Sequence, residues 1–430
     1  MSEEPAMRTS ALALINSLVS AVRTGAVTTP PRAAGLSSTA AAAATAQRRA
    51  PAPVAAERGP SLFVDIGANL LDSVFDGEYR GKRAHPPDID AVLARAASAG
   101  VERAIVTAGS LDESRRALQF VRARRDVGSP VKLYCTVGVH PTRSLEFVPP
   151  AERVALEAAM RTLADAGEAG GDAARAELAA AEARLSGDGD AAKAVAAHVG
   201  THVAALRALL DEGRAEGLTV AVGECGLDYD RLHFCPAGVQ KIGFEAQLAL
   251  ADATGLPLFL HNRATAGDFA AICSARKAQM HGGGVVHSFD GDASELDELL
   301  GLGLDIGLNG CSLKTADNLA VAARVPLSAL HLETDAPWCA IKRTHAGHSH
   351  VRPLIDAATA EPYEEVKKEK WTAGACVKDR CEPCHIVHVL QVVNGARSAH
   401  GEADTEEERV AAAAYANSMR LFWPNESSEQ

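Results

Sequence analysis

Short apolar runs, each closed by a polar residue or a glycine, recur along the chain from Ser61 onward. They are Ser61–Asp65, Arg103–Thr107, Lys132–Val139, Leu218–Glu224, Leu256–Leu260, a sixth closing on Val285–His287, Leu304–Leu308 and Ala329–Glu333. A continuous apolar run of this length predicts a strand of parallel sheet, covered on both faces. Between the runs lie segments with helical period, among them Asp90–Ala99, the amphipathic Leu111–Arg125 and residues 240–253. Eight such strands alternating with helices predict a (β/α)8 TIM barrel.

The spacing breaks once. Between His140 and Glu224 lie 83 residues, where one helix and its loops need roughly 30–40. Val195, Val199, Val203, Leu206 and Leu210 follow helical spacing, so residues 191–212 supply the ordinary barrel helix. Residues about 165–190, rich in Ala, Glu and Gly, are then an inserted charged helix or a flexible loop on the 61–425 barrel.

In a barrel all strand exits meet on one face. The exits here are Asp65, Gly109, His140, Glu224, His261, His287, Asn309 and Asp335. The stretch Leu218–Arg231 is the most pronounced of them, an apolar run driven straight into Gly223-Glu224, with Asp228 four positions later. Two imidazoles and two carboxylates from separate strands, Glu224, His261, His287 and Asp335, make a cage for a divalent cation with positions left for water and substrate. Such a site lowers the pKa of water and polarises an ester or phosphoryl oxygen.

Composition adds limits. The formal charge is −12, but residues 1–60 carry six Arg against three Glu while 151–217 and 401–430 are each net −5. That balance excludes nucleic-acid binding by charge alone, and predicts a shallow salt dependence for any such substrate. Nine scattered cysteines in a chain of 430 residues suit reduced thiols better than a disulfide scaffold. No apolar run approaches the ~18 residues that span a bilayer, so no membrane partner is expected. Residues 1–60 have the Arg-rich, acid-poor composition of an organelle transit peptide, with a low-complexity tail as the alternative. The expected compartment is the cytoplasm or nucleus, or a chloroplast or mitochondrion if that segment is an address. Residues 426–430 read as a tail.

Five motifs in order carry a resemblance: Asp65-Ile-Gly-Ala-Asn69-Leu, Gly138-Val-His-Pro141, Gly223-Glu-Cys-Gly-Leu-Asp228, Val286-His-Ser-Phe289 and Glu333-Thr-Asp-Ala-Pro337. Over about Ser61 to Trp423 the chain resembles the TatD-type metal-dependent deoxyribonucleases, and longer pieces such as Asn309–Thr315 and Asp335–Cys339 resemble their eukaryotic branch. The resemblance implies an amidohydrolase-like barrel that cleaves DNA phosphodiesters, commonly from the 3′ end, acting on ends or single strands as a monomer. It implies Glu224 as the shared metal ligand, His261 and His287 as ligands, and Asp335 as ligand and general base. His140, Arg263 and Asn69 fall on the substrate side, and the planar guanidinium of Arg263 suits two phosphate oxygens at once.

One departure bears on the metal. Many members of the wider family carry His-x-His on the first strand, where this chain has Gly67 and Asn69. The loss of two imidazoles favours Mg²⁺ or Mn²⁺, with Zn²⁺ the alternative, and one firm site beside a weak second one. Cys381-Glu-Pro-Cys384-His385 matches the spacing of c-type haem attachment, yet it opens a helix with Ile386, Val389, Leu390 and Val393 at packing positions, so no haem is expected. The same cage also suits ester or amide hydrolysis, since the family this chain resembles includes deacylases acting on aminoacyl-tRNA, and a non-catalytic scaffold is the remaining alternative.

Overall fold

The computed structural model describes residues 61–356 and 359–426. The transit-peptide reading of residues 1–60 lies outside them, as do residues 427–430 of the tail. Eight parallel strands lie side by side in sequence order: β1 (Phe63–Ala68), β2 (Val101–Val106), β3 (Lys132–Val137), β4 (Thr219–Asp228), β5 (Leu258–Arg263), β6 (Gly284–Val286), β7 (Asp305–Leu308) and β8 (Leu330–Leu332). The ring closes just past β8, where Ala68 and Ala336 form a parallel bridge and Asp335 N–H donates to Gly67 O at 2.8 Å.

Several strands differ from their expected bounds, and at β1 and β4 the difference matters most. β1 continues beyond Asp65, whose buried carboxylate is a closure element and not an exit group. It accepts from the Thr334 hydroxyl at 2.6 Å and the Thr334 N–H at 2.9 Å, tying β1 to the chain leaving β8. Burial pushes the Asp65 carboxyl up to about 8 despite those donors. β4 runs on past Glu224 to Asp228, because residues 225–228 pair with Leu260–Arg263 of β5. The long strand carries both acids of the Leu218–Arg231 stretch up to the barrel mouth.

The interior is filled by inward side chains such as Val64, Ile66, Ile105, Ala221, Phe259 and Val285. Its floor is the end of the last helix, α11 (Glu407–Phe422), which inserts Phe422 and Trp423. Arg103 of β2 lies over the Trp423 ring at 4.8 Å and pairs with Glu426 at 2.7 Å, satisfying a charge that would otherwise be stranded in the floor. With the floor sealed, the mouth at the strand C-termini is the open end.

Outside the ring run α1 (Ile89–Ser98), α2 (Leu111–Asp126), α3 (Pro150–Asp165), α4 (Gly167–Ser186), α5 (Asp190–Ala215), α6 (Ala237–Thr254), α7 (Asp268–Ala275), α8 (Ala293–Leu302), α9 (Ala316–Arg324) and α10 (Ile386–Ala399). Their apolar faces form the larger core, each fully buried Leu or Phe contributing about 1.5–3 kcal/mol. Val195, Val199, Val203, Leu206 and Leu210 all face inward from α5 as their spacing requires. The insertion is helical: α4 buries Ala174, Ala181 and Leu185, and Glu182 accepts from Gly238 N–H at 2.6 Å at the start of α6. A carboxylate there satisfies an orphan donor and the helix dipole together.

A four-charge network seals the α1 side. Glu382, fully buried, accepts from Arg95 at 2.7 and 3.1 Å and from Arg380 at 2.8 Å, while Arg380 also holds Asp88. Next to it, Cys376, Cys384 and His385 come together. His385 Nδ1 accepts from Glu382 N–H at 3.0 Å, so in a neutral ring the proton sits on Nε2. That nitrogen then donates hydrogen bonds and has no lone pair for a metal. Cys381 and Cys384 are buried, as are Ile386, Val389, Leu390 and Val393 of the following helix. Among the described residues no helix is long and apolar enough to cross a membrane.

Candidate active site

At the mouth, Glu224 Oε1 lies 2.8 Å from His261 Nδ1 and 2.7 Å from His287 Nε2, with the two nitrogens 3.3 Å apart. The three atoms come from β4, β5 and the residue after β6. Ligands about 2.1 Å from one cation and at right angles about it lie about 3.0 Å from one another. The spacing is that of one face of a coordination shell, so the donor set fits a divalent cation.

Each histidine is backed by a second acid. His261 Nε2 faces Asp228 Oδ2 at 3.3 Å, and His287 Nδ1 faces Glu333 Oε2 at 3.5 Å. These outward nitrogens, both Asp228 oxygens and Glu333 Oε2 are buried without a well-aligned hydrogen bond. A cation held by the inner nitrogens would fix the ring proton on the outer one, where the second acid would accept it as a hydrogen bond. The protein alone answers the same crowding by protonation. Burial lowers both imidazoles' pKa, but Asp228 and Glu224 raise His261, and Glu224 and Glu333 raise His287 well above the ordinary value. Burial likewise raises Glu224, and the surrounding His287, His140 and His261 hold it well below the usual carboxylate range. The His287 ring is also stacked on Phe259, centroids 4.6 Å apart, which fixes its plane.

Asp335 stands apart from this trio in its contacts. Asn69 Nδ2 donates to its Oδ1 at 2.8 Å, and the Cys339 thiol donates to its Oδ2 at 3.1 Å. Thr107 in turn donates to Asn69 Oδ1 at 2.7 Å, setting the amide's orientation. Burial pushes the Asp335 carboxyl up to about 7; the His287 charge opposes this, while Glu333 and Glu224 add to it. The first-strand asparagine is thus a positioning group for Asp335.

His140 lies with Nε2 3.4 Å from Glu224 Oε1, close enough to be grouped with the ligands. Its other nitrogen decides its chemistry. Nδ1 accepts from Thr142 N–H at 3.2 Å and faces the Thr142 hydroxyl at 2.7 Å, which places the ring proton on Nε2. Burial pushes its pKa down to about 3, keeping the ring neutral. His140 therefore presents an N–H donor toward the cage. Arg263, at the end of β5, is half-covered and 3.3 Å from Asp290.

Gly67 shows why this mouth lacks a first-strand imidazole. A Cβ at position 67 would stand 2.6 Å from Glu333 Oε2 and 3.0 Å from Phe259. Glu333, buried and also bonded by Ser288 N–H and by Asn309 Nδ2 at 3.3 Å, occupies that space.

The sequence-derived cage thus assembles as a tight trio of Glu224, His261 and His287, with Asp335 held by Asn69 and Cys339. Sequence reasoning gave no role to Glu333, Cys339 or Thr107, and left Asp228 outside the cage. A signal existed for Asp228 alone, since its spacing of four from Glu224 places both on one face of an extended strand.

The family model of the TatD related DNases matches residues 64–423. The chain belongs to the TatD-related DNase family. It is 36% identical over 331 residues to a deoxyribonuclease Tat-D of Schizosaccharomyces pombe, covering 77% of this chain and 88% of the relative. It is 33% identical to a 3′-5′ ssDNA/RNA exonuclease TatD of Edwardsiella piscicida, over 64% of this chain and 80% of that one. A solved TatD-family hydrolase of Entamoeba histolytica superimposes with a TM-score of 0.64 at 29% identity, covering 85% of this chain and 99% of that one. TatD-family membership and the Glu-His-His trio therefore rest on independent observations.

Proposed function

We propose that this chain is a divalent-metal-dependent deoxyribonuclease that shortens DNA from the 3′ end. The observation that carries the reading is the Glu224–His261–His287 trio, backed by Asp228 and Glu333, at the open mouth of a TatD-family barrel. When bound there, a divalent cation supplies Lewis-acid stabilisation of the phosphoryl oxygens and a water of lowered pKa. Glu224, His261, His287 and Asp335 are the residues that would hold it. Mg²⁺ or Mn²⁺ is favoured, with one firm site and a weaker second one, because positions 67 and 69 supply no imidazole.

The remaining roles belong to the chain's own groups. Asp335 accepts the proton of the attacking water, its two oxygens held in one orientation by Asn69 and Cys339. His140 donates its Nε2–H to a phosphate oxygen, and Arg263 exchanges Asp290 for a second one. The trio and all its supports come from one chain, which is why we propose a monomer as the working unit. We place it in the cytoplasm or nucleus, unless residues 1–60 direct it to a chloroplast or mitochondrion.

The test is a 5′-labelled single-stranded oligonucleotide with Mg²⁺ or Mn²⁺. Wild type shortens it stepwise, while Glu224→Ala and Asp335→Asn lower turnover by ~10²-fold or more. Hydrolysis of an aminoacyl ester by wild type, with the DNA left intact, would overturn the reading.

A further inference from the structure

We propose that Trp338, with Phe234 on the opposite rim, forms a stacking platform for the unpaired nucleobases of the bound strand. The inference rests on the nuclease reading and names residues that bind the strand away from the reacting phosphate.

Trp338 lies three residues beyond Asp335, and its backbone N–H donates to Asp335 O at 2.9 Å. Trp338 is 55% exposed, one of the few large apolar side chains left in solvent among the described residues. It lines a groove of about 450 Å³ together with Tyr79, Lys367, Lys368 and Lys378, and with the acids Glu369 and Asp379. Lys368 sits over the Tyr79 ring at 4.6 Å and 4.0 Å from Glu369, and Lys367 and Lys378 are exposed. An aromatic ring sharing a groove with ammonium groups is the combination that holds a base and its phosphate together.

Phe234 is 54% exposed in the loop that follows β4, its ring 4.1 Å from that of His233. β4 and β8 are four strands apart in a ring of eight, so their loops stand on opposite rims. A strand laid from one to the other passes over the Glu224 trio. Bases reach the two rings only if they are unstacked and unpaired, which a duplex interior does not offer. Stacking also supplies affinity beyond what a chain of net charge −12 draws from charge alone.

Trp338 reports on itself. Of the three tryptophans, Trp423 is buried in the floor, and Trp371 is stacked on His85 and bonded to Asp88. Titrating the full chain with oligothymidylate in EDTA should quench tryptophan emission to saturation, and Trp338→Leu should abolish the change. In turnover on single-stranded DNA, Trp338→Ala and Phe234→Ala should each raise KM by ~5- to 150-fold with a smaller effect on kcat, and Trp338→Phe should restore most of it. Equal quenching by a blunt duplex, or KM within twofold of wild type in both alanine variants, overturns the platform. DNA turnover without quenching overturns the platform alone, whereas saturable quenching without turnover of any DNA overturns the nuclease reading alone.

Discussion

Removing the charge behind His261 isolates what the outer carboxylates do. The Asp228 carboxylate is fully buried, has no well-aligned hydrogen bond, and lies 3.3 Å from His261 Nε2. Arg231 is 3.8 Å away on an exposed side chain and screened by solvent, while Arg263 and His140 act on it through space. The energy of Asp228 therefore passes chiefly through its nearest partner, the His261 imidazole. Loss of such a partner costs 10- to 100-fold in metal affinity, about 1.4–2.7 kcal/mol. Asp228→Asn keeps an acceptor for the Nε2–H and loses only the charge, so it belongs at the ~10-fold end. Asp228→Ala loses both and belongs near ~100-fold. Calorimetric titration with Mn²⁺ measures this without substrate. Turnover at limiting Mn²⁺ should fall in parallel and recover as the metal is raised. If the Mn²⁺ affinity of both variants stays within twofold of wild type, or if turnover stays low at saturating metal, Asp228 does not act through His261.

Further expectations follow from other parts of the molecule. Exhaustive chelation should abolish DNA turnover and Mn²⁺ or Mg²⁺ should restore it, with about one tightly held ion per chain; two zinc ions retained through purification would contradict the single firm site. Glu382→Gln leaves Arg95 and Arg380 with an uncompensated buried charge and should cost about 3–5 kcal/mol in urea unfolding at pH 7. Burial raises the Glu382 carboxyl, but Arg95 and Arg380 hold it below its ordinary value. Its contribution is therefore complete above the unfolded carboxylate pKa of about 4.3 and fades as pH falls through the folded value, so the gap between wild type and Glu382→Gln should narrow in acid. Gly67→Ala places a methyl group against Glu333 Oε2 and Phe259 and should destabilise by about 1–3 kcal/mol. Adding Glu333→Ala should return part of that loss, and strict additivity in the double-mutant cycle would refute the steric account.

How much of this was legible in sequence follows from where each group gets its partner. The strands were legible because a strand covered on both faces must be apolar throughout, and the trio because each member breaks that rule at a barrel exit: Glu224, His261 and His287. The true end of β4 was hidden, since residues 225–228 take their strand geometry from Leu260–Arg263, 35 positions away. Asp65 was misplaced for the opposite reason. It interrupts an apolar run as a ligand does, but its donors are Thr334 N–H and Oγ, which reach it only when the ring closes. The outer carboxylates fall in the same class. Asp228 and Glu333 come to stand behind His261 and His287 only because β4 lies beside β5 and because position 67 has no side chain to contest the space of Glu333. Gly67 is therefore more than a missing ligand. The absent Cβ and the buried acid are one arrangement, in which the volume of a first-strand imidazole has been given to the carboxylate that orients His287.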